Sequence, residues 1–404
     1  MRKKLLILGA GWSHIPGIRI AKKMGIFTVV MDKNPNAPGL KISDYGYILD
    51  GSNKENVLRI ASKEGVDGIL CTGDYSVIPA SYASTKLGLS CIPYNIATLV
   101  SNKGKLFEKF RKCGVSLPKG KLVSNLKEAK SYAQELGFPI ILKPASSFGG
   151  SRGVIRVENS AHLSERYYYC KKNNLDPKII MEQFLPGIEH TIESITINGK
   201  THTLAISDKI RTTGAYCVGL SLDYPSIQRK SIISKLKKQA GLAISASGIK
   251  NGVTHIEAIS FKNEVYIIDF GARGGAGGYI TSVVVPKLIG INMMEKMIQI
   301  SLGEKISSLK PRFSQFVTYR FLSAKPGIVQ EIKGIKKRKK IPGLIDLKVL
   351  VKKGDKIQIL RNQLLRSGYF VVEGKNFKQI QERIKRIENT IKIVTKHVGE
   401  KRSS

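Results

Sequence analysis

Two carboxylate side chains stand in otherwise apolar, β-branched segments, and that placement suggests a metal site. Glu257 follows the run Thr254-His255-Ile256, and Asp269 follows Ile267-Ile268. Unpaired charge is costly to bury in such segments. Two adjacent strands that each present one carboxylate toward the same place would form a hard-oxygen site suited to Mg²⁺. Arg273 comes shortly afterwards, and its planar fork suits a phosphoryl group or a carboxylate.

A loop of small residues follows a predicted strand that ends at Lys143. The loop extends from Ala145 to Gly153 and contains Gly150 and Ser151. Small side chains let several backbone N–H groups approach phosphate oxygens together, and a lysine at the strand end adds a compact positive charge. Loops of this composition are as often ordinary turns, so the loop by itself leaves both interpretations open.

An apolar segment with a polar break offers what an adenosine requires. It begins at Ile179 and passes through Glu182 to Phe184 and Leu185, before a Pro-Gly turn and Glu189. Main-chain groups there could reach the edge of the base, while the two apolar side chains cover its faces and Glu189 accepts hydrogen bonds from the ribose. The alternative is a strand that leads into an ordinary turn, with both glutamates solvated.

These residues need a framework, and the first hundred residues predict one. Apolar strands at 4–8, 28–31, 47–49 and 68–71 alternate with helices at 15–24 and 57–64. Such alternation is typical of parallel βαβ units in a doubly wound sheet.

Strand and helix signals continue through the rest of the chain. Asn198-Gly199 is the strongest short hairpin signal, and Lys262-Asn263 is a short turn between the two carboxylate strands. Apolar residues at helical spacing from Phe377 to Val394 predict a final helix docked on a sheet, with a coiled coil as the less favoured alternative. The other predicted elements are helices at 101–113, 128–136 and 232–246, and strands at 140–143, 154–157, 179–181, 191–197, 201–206, 253–259, 265–270, 316–321, 347–351 and 369–373.

The first turn of the chain imitates a dinucleotide-binding motif. Gly9 and Gly11 follow the first strand, and Asp32 stands at the end of the second. The third glycine of the motif would fall where His14 stands, so a close approach to a pyrophosphate is not expected. A nicotinamide-dependent role is therefore a minor alternative.

Composition narrows the class of protein. A chain of 404 residues is long enough for about two to four domains. No apolar run approaches the roughly 18 residues that a membrane span needs, and the apolar run after Met1 is too short for a secretory signal. The five cysteines form no C-x-x-C pair, which favours reduced thiols in a cytoplasmic protein.

The net charge of +37 raises the question of a polyanionic partner. Nucleic acid or an anionic surface would be attracted by such a charge. The basic residues are spread along the whole length, however, and the one compact run at 336–340 has no interleaved aromatic residues. A general lysine bias is the favoured interpretation, and nucleic-acid binding is a minor alternative.

Taken in order, these motifs resemble the ATP-grasp superfamily, in the branch of carboxylate–amine ligases, biotin carboxylase and carbamoyl phosphate synthase. The resemblance covers nearly the whole chain and implies a multidomain protein of α/β and α+β classes. The implied parts are a doubly wound N-terminal domain at 1–99, an ATP-grasp domain at 100–308 with a small lobe at about 103–185 and a large lobe at about 186–308, and a small C-terminal α+β domain at 309–404.

The resemblance also implies roles for individual residues. Glu257 and Asp269 would bind Mg²⁺, or alternatively Mn²⁺, and Arg273 would stabilise the transferring phosphoryl group. Arg211 is a candidate for gripping a substrate carboxylate, with a surface arginine as an equal alternative. ATP would be held by Lys103, Lys143, Gly150, Ser151, Gly153, Glu182, Gln183, Phe184, Leu185 and Glu189.

The activity implied by the resemblance is that of an ATP-dependent ligase. It would phosphorylate a small-molecule carboxylate to an acyl phosphate, which an amine then attacks with release of ADP and phosphate. The family's second metal strand reads Glu-x-Asn, whereas this chain has Asp269 and Gly271, so one customary oxygen ligand is missing. A catalytically weak ATP sensor or partner subunit is therefore the alternative. The sequence specifies neither the acid nor the acceptor, and a homodimer is an open expectation.

Overall fold

The computed structural model describes residues 2–147, 149–306 and 309–396 of the chain. Phe148 of the predicted phosphate loop, the side chain of Lys339 in the basic run, the predicted boundary at 308 and the tail after 396 lie outside the described residues. None of the described helices is both long enough and apolar enough to span a membrane.

The N-terminal unit is the parallel sheet that the sequence predicts. Its elements are β1 Lys4–Leu8, α1 Ile15–Lys23, β2 Phe27–Met31, β3 Tyr45–Tyr47, α2 Lys54–Glu64, β4 Gly68–Cys71, α3 Val77–Lys86 and α4 Tyr94–Ser101. The strands pair in parallel in the order β3-β2-β1-β4. Residues 5–8 of β1 are buried, because helices on both faces of a parallel sheet cover both sides of its strands. Asn53 caps α2 by accepting hydrogen bonds from two backbone N–H groups.

The next unit is a small antiparallel sheet with flanking helices. It consists of α5 Lys103–Lys112, β5 Gly120–Val123, α6 Leu126–Leu136, β6 Ile140–Pro144, β7 Ile155–Val157, α7 Ser160–Lys172 and β8 Ile179–Gln183. The strands are ordered β5-β8-β6-β7. The predicted phosphate loop connects β6 to β7, so it leaves the sheet after Pro144, one residue beyond Lys143.

The remaining strands contribute to one large sheet and one small one. The central elements are β9 Ile188–Ile197, β10 Lys200–Arg211, β11 Gly219–Tyr224, α8 Lys230–Ser247, β12 Gly252–Phe261, β13 Glu264–Gly271, α9 Val285–Ile289 and α10 Met293–Ser301. The last elements are β14 Phe316–Phe321, β15 Gly327–Lys333, β16 Leu344–Val349, β17 Lys356–Ile357, β18 Gly368–Gly374, α11 Phe377–Thr390 and β19 Lys392–Lys396.

The large sheet joins the middle and the end of the chain. Its order is β13-β12-β9-β10-β11-β14-β18-β16, while β17, β15 and β19 form a separate three-stranded sheet. Asn198 and Gly199 form the hairpin turn between β9 and β10, as predicted, and Lys262 and Asn263 form the turn between β12 and β13. The sheet is thus continuous from the central strands into the C-terminal strands.

The final helix docks on the large sheet, but it is shorter than its apolar stripe. Ile380, Ile384 and Ile387 of α11 are buried in one cluster with Phe370 of β18, which confirms docking. The stripe's extension to Val394 is wrong, because α11 ends at Thr390 and Val394 lies in β19, paired with β15. Isoleucine and valine suit a strand as well as a helix face, so their spacing alone does not set the boundary.

Five helices are not indicated by the sequence signals. They are α3, α4, α7, α9 and α10, although Asn159 caps α7 by accepting a hydrogen bond from the N–H of His162. The helix predicted at 101–113 is α5, which begins only at Lys103 because Asn102 ends α4 and caps α5. Side-chain caps decide these boundaries more than hydrophobic periodicity does.

Candidate functional site

A cavity of about 410 Å³ is lined by residues of the N-terminal unit, the small antiparallel sheet with its loop, the large sheet and the C-terminal part of the chain. All the predicted site residues line it except Gly153. A Cβ added at Gly153 would lie 2.7 Å from Asn173 Cβ and from Pro144 Cγ. Gly153 therefore allows close packing of the small lobe beside the loop, and the other predicted residues are brought together around one space.

The two predicted metal carboxylates are direct neighbours. Glu257 on β12 and Asp269 on β13 are partners in the antiparallel register. Lys209 lies 2.7 Å from Glu257, and Lys103 forms an ion pair with Asp269. Burial alone would raise the pKa of Glu257, but Lys209 and His255 hold it well below its usual range.

These carboxylates fit a magnesium ion that completes its coordination elsewhere. Over the residues that the structure describes, no group of three or more His, Cys, Asp or Glu is placed to hold a metal by itself. Mg²⁺ commonly takes one or two carboxylates from the protein and the rest of its ligands from water and substrate phosphates. Glu257 and Asp269 supply that number of hard-oxygen ligands at one wall of the cavity.

The predicted phosphate lysines are each held by a carboxylate. Lys143 forms an ion pair with the buried Glu182 and donates a hydrogen bond to the carbonyl oxygen of Ile268 at 3.0 Å. Burial raises the pKa of Glu182, an effect that Lys143 only partly offsets. Lys103 is the first residue of α5, and its ammonium group reaches Asp269 on β13. Phosphate oxygens would compete with these carboxylates for the same ammonium groups.

The segment predicted to bind adenosine lies in a denser charge network than the sequence indicates. Glu189 accepts from Lys209 at 2.9 Å and from Arg211 at 2.7 Å. Arg211 is therefore paired with a protein carboxylate. The Phe184 ring lies 4.1 Å from the Arg156 guanidinium carbon and 5.1 Å from that of Arg211, which are cation–π distances.

Arg273 is anchored by a residue that the sequence motifs do not identify. Its Nε and Nη2 atoms donate to the two oxygens of Asp74 at 2.8 and 3.0 Å. Burial would lower the pKa of Arg273, but Asp74 raises it. Asp74 follows the carboxyl end of β4, where parallel sheets commonly place ligand contacts, and that position is the signal that could have identified it.

Gly271 explains how Arg273 reaches this partner. A Cβ at Gly271 would lie 3.0 Å from the guanidinium carbon of Arg273. An asparagine at this position, as in the family pattern, would press on the arginine as it is oriented here. The glycine at this position, where the resemblance predicts an asparagine, therefore leaves space beside the Arg273 guanidinium.

A buried histidine–glutamate pair stands behind the metal carboxylates. His255 Nδ1 lies 2.5 Å from Glu193 Oε1, and its Nε2 lies 3.8 Å from Glu257 Oε1. Burial would lower the pKa of His255, but Glu193 and Glu257 raise it to about 9. A Cβ at Gly275 would lie 2.8 Å from the His255 ring, so a glycine is required beside this pair.

One part of the cavity wall, here called the aromatic end, contains Trp12, Phe321 and Tyr369, together with Arg366 from the C-terminal unit. Arg366 stacks on Phe321 at 3.4 Å and donates to the carbonyl oxygen of Gly219 at 2.6 Å. Burial lowers its pKa to about 10, and its Nε atom is buried without a hydrogen-bond partner. No ion pair links Arg366 to any carboxylate within the described ranges. Trp12 and Tyr369 stack at 4.7 Å in the same wall.

The turn that imitates a dinucleotide motif is filled by side chains. A Cβ at Gly9 would lie 2.3 Å from His14 Nε2 and 2.4 Å from Tyr75 Oη. Asp32 accepts hydrogen bonds from the backbone N–H groups of Ala10 and Asn34, at 2.7 and 2.9 Å. The space and the acidic group that a dinucleotide would use are therefore occupied by the protein.

His14 is expected to make the protein acid-sensitive. Burial lowers its pKa to about 4, against the opposing charge of Asp32. The unfolded chain binds a proton near pH 6.5 and the folded protein only near pH 4, so stability is lost as pH falls between these values. Chemical denaturation should show that, between pH 7 and pH 4.5, the free energy of unfolding of the wild type falls by about 2 kcal/mol more than that of His14→Gln. Parallel pH profiles for the two proteins would contradict this assignment.

Comparisons with known families match two parts of the chain. Residues 136–282 match the ATP-grasp domain, and residues 320–396 match the C-terminal domain 2 of L-amino acid ligases. The formate-dependent phosphoribosylglycinamide formyltransferase of Wolinella succinogenes is 28% identical over 286 residues, which cover 69% of this chain and 72% of that protein. The carbamoyl phosphate synthase large chain of Clostridium beijerinckii is 26% identical over 337 residues, or 76% of this chain. The present chain spans about 30% of the length of that relative.

Solved structures show the same fold over almost the entire chain. The L-amino acid ligase from Bacillus licheniformis has a TM-score of 0.86 at 21% identity, covering 98% of this chain and 99% of that one. The phosphoribosylglycinamide synthetase from Anaerococcus prevotii has a TM-score of 0.77 at 22% identity, covering 98% and 100%. The multidomain architecture described above is therefore shared with these proteins.

Proposed function

We propose that this chain, whose residues 136–282 match the ATP-grasp domain, is an ATP-dependent carboxylate–amine ligase. The observation that carries the proposal is the joint placement of two metal carboxylates, two lysines and a glycine-rich loop around one cavity. Lys103, Lys143 and the loop bind the phosphates of ATP, and the segment from Glu182 to Glu189 binds adenosine. Glu257 and Asp269 would hold Mg²⁺, which would supply positive charge to neutralise the phosphates.

The first chemical step is a phosphoryl transfer to the acid substrate. A carboxylate oxygen of the acid attacks the γ-phosphorus, and the bond to the β–γ bridging oxygen breaks to release ADP. Lys143 and Arg273 stabilise the charge on the phosphoryl oxygens. Because Asp74 binds the Nε and Nη2 atoms of Arg273, the other N–H groups of the guanidinium have a fixed direction before the substrate binds, which lowers the reorganisation required for transfer.

The second step forms the amide. The amine attacks the acyl carbon, the bond from that carbon to the phosphate oxygen breaks, and phosphate leaves while the nitrogen loses a proton. Water must be excluded because it would attack the same carbon and return the free acid. The glycine-rich loop and the aromatic wall around Trp12 and Tyr369 are the described parts of the cavity that exclude it.

We infer that the acid or the amine is an L-amino acid or a small peptide. Arg366 places a guanidinium without a carboxylate partner among the described residues at the aromatic end of the cavity. Such a group suits a substrate carboxylate that does not take part in the reaction. Tyr319 and Phe321 flank it and suit an apolar side chain. The match of residues 320–396 to a domain of L-amino acid ligases supports this choice.

A screen of acid and amine pairs tests the proposal. Purified protein with MgATP is incubated with pairs of L-amino acids, then with other small acids and amines, and ADP, phosphate and the product mass are measured. A productive pair should release ADP and product in equal amounts. Glu257→Gln and Asp269→Asn should each reduce the rate by about 10²-fold or more through loss of a metal ligand.

The alternative function makes the opposite prediction for the same screen. The replacement of the family's Glu-x-Asn by Asp269 and Gly271 favours a protein that binds ATP without turning it over. Tight MgATP binding, with no ADP release above that of Glu257→Gln for any pair, would support the sensor and overturn the ligase.

A further inference from the structure

The glycine-rich loop is held in place by residues outside its own lobe. Gln363, from the C-terminal unit, donates its backbone N–H to the carbonyl oxygen of Gly150 at 3.0 Å. Its side-chain Nε2 donates to Ser151 Oγ at 3.3 Å. On the N-terminal side, a Cβ at Gly149 would lie 2.3 Å from Asp74 Oδ2. The loop thus lies between the first and last units of the chain.

The loop needs such partners because Ser151, between glycines that adopt a positive φ freely, has a locally unfavourable backbone conformation. Gly149, Gly150 and Gly153 have φ values of 73°, 71° and 75°, and Ser151 has a φ of 58°. A serine rarely adopts the left-handed region. External contacts therefore have to offset the unfavourable conformation for this one arrangement to persist.

Gln363 is itself orientated by two neighbours. Asn362 caps a short turn at Gln363–Leu365 by accepting from the N–H of Leu364 at 2.9 Å. Arg366 donates to Gln363 Oε1 at 3.4 Å, which leaves the NH₂ group of the carboxamide facing Ser151. The arginine that orientates the glutamine also lines the aromatic end of the cavity.

We propose that Gln363 is a positioning residue that holds the glycine-rich loop closed over the nucleotide phosphates. The C-terminal unit thereby takes part in shielding the acyl phosphate from water, although it contributes no group to the phosphates. The presence of a nucleotide beneath the loop rests on the proposed function. The contact between Gln363 and the loop does not.

Trypsin cleavage after Arg152 measures loop opening directly. Arg152 lies in the loop, and its Nε donates to the carbonyl oxygen of Gly149 at 3.0 Å, so cleavage requires this segment to leave its present conformation. The fragments 1–152 and 153–404 are followed by mass with and without the magnesium complex of AMP-PNP, a non-hydrolysable ATP analogue. Gln363→Leu, which removes the side-chain hydrogen bond, should be cleaved about three- to tenfold faster than wild type.

Gln363→Pro removes the backbone hydrogen bond as well. Residue 363 is the first of its turn, and Asn362 has the extended backbone (φ −158°, ψ 172°) that precedes proline favourably. We expect faster cleavage of this variant than of Gln363→Leu. Gln330→Leu, at an exposed glutamine of the same unit, is the matched control and should behave as wild type.

The outcomes separate this proposal from the proposed function. Suppose that thermal unfolding shows all the proteins folded and that both Gln363 variants are cleaved at the rate of Gln330→Leu. This result would overturn the proposal that Gln363 holds the loop closed. If the magnesium complex of AMP-PNP gives no protection and calorimetric titration detects no binding of it, the proposed ATP binding fails. The cleavage rates of the variants without nucleotide then still support or overturn, by themselves, the proposal that Gln363 holds the loop.

Discussion

Replacing Lys143 with methionine is expected to reduce both MgATP affinity and stability, for two separable reasons. The ammonium group is proposed to bind an ATP phosphate, and a hydrogen bond between charged groups is worth about 1.5–3 kcal/mol, so the affinity should fall about 10- to 100-fold. Lys143 also neutralises Glu182, whose side chain is 5% exposed. An ion left unpaired in such a place costs about 3 kcal/mol.

The double variant Lys143→Met/Glu182→Gln separates the two effects. With both charges removed, stability measured by urea denaturation should return to within about 1 kcal/mol of wild type, whereas MgATP affinity measured by calorimetry should stay low. Lys121→Met is the control, because Lys121 lies in the same lobe in an exposed pair with Glu128 at 3.7 Å and should change stability by less than about 0.5 kcal/mol. Equal ATP affinity in Lys143→Met and Lys121→Met would contradict the phosphate role.

Replacing Arg273 with alanine, which removes the guanidinium group, is expected to slow product formation by about 10²- to 10³-fold. The guanidinium is proposed to stabilise charge that develops on the phosphoryl oxygens, so its loss should lower kcat and change MgATP affinity by less than about threefold. Arg273→Lys keeps the charge but loses the two-pronged geometry that Asp74 holds. We expect it to recover only a small part of the rate.

The measurement is steady-state ADP release with a productive pair from the screen, together with calorimetric titration of MgATP. Arg19→Ala, at an exposed position of α1, serves as the arginine control and should keep the wild-type rate. A rate for Arg273→Lys within twofold of wild type would show that only a positive charge is needed. A rate for Arg273→Ala within twofold would remove Arg273 from phosphoryl transfer altogether.

The parts of the site that lie close along the chain follow from the sequence. The turn at Lys262 and Asn263 is so short that the strands around it must pair antiparallel, which brings the segments that contain Glu257 and Asp269 side by side. The direct pairing of the two carboxylates also requires the register shift between Glu257 and Ala258, which the turn alone does not specify. Lys143 and the glycine-rich loop are adjacent because they follow one another in the chain. The pairing of the strands and the position of the loop thus follow from local geometry and from the alternation of apolar and small residues.

Partners from distant segments could not be identified in this way. Asp74 is 199 residues from Arg273, and Gln363 is 212 residues from Ser151. Lys209 stands in an ordinary hairpin strand, and only the pairing of β9 with both β10 and β12 brings it between Glu189 and Glu257. No spacing rule connects such residues, because their proximity depends on how whole sheets pack.

The sequence by itself determined the doubly wound start, the two carboxylate strands, the glycine-rich loop and the order of the ATP-grasp motifs, since each is encoded within a few dozen consecutive residues. The tertiary structure decided which charges neutralise one another, that α11 stops at Thr390, and that Arg366 and Gln363 of the C-terminal unit face the cavity. Those facts depend on burial and on contacts between units. A side chain's electrostatic partner is set by the three-dimensional packing around it, and the linear pattern does not record that packing.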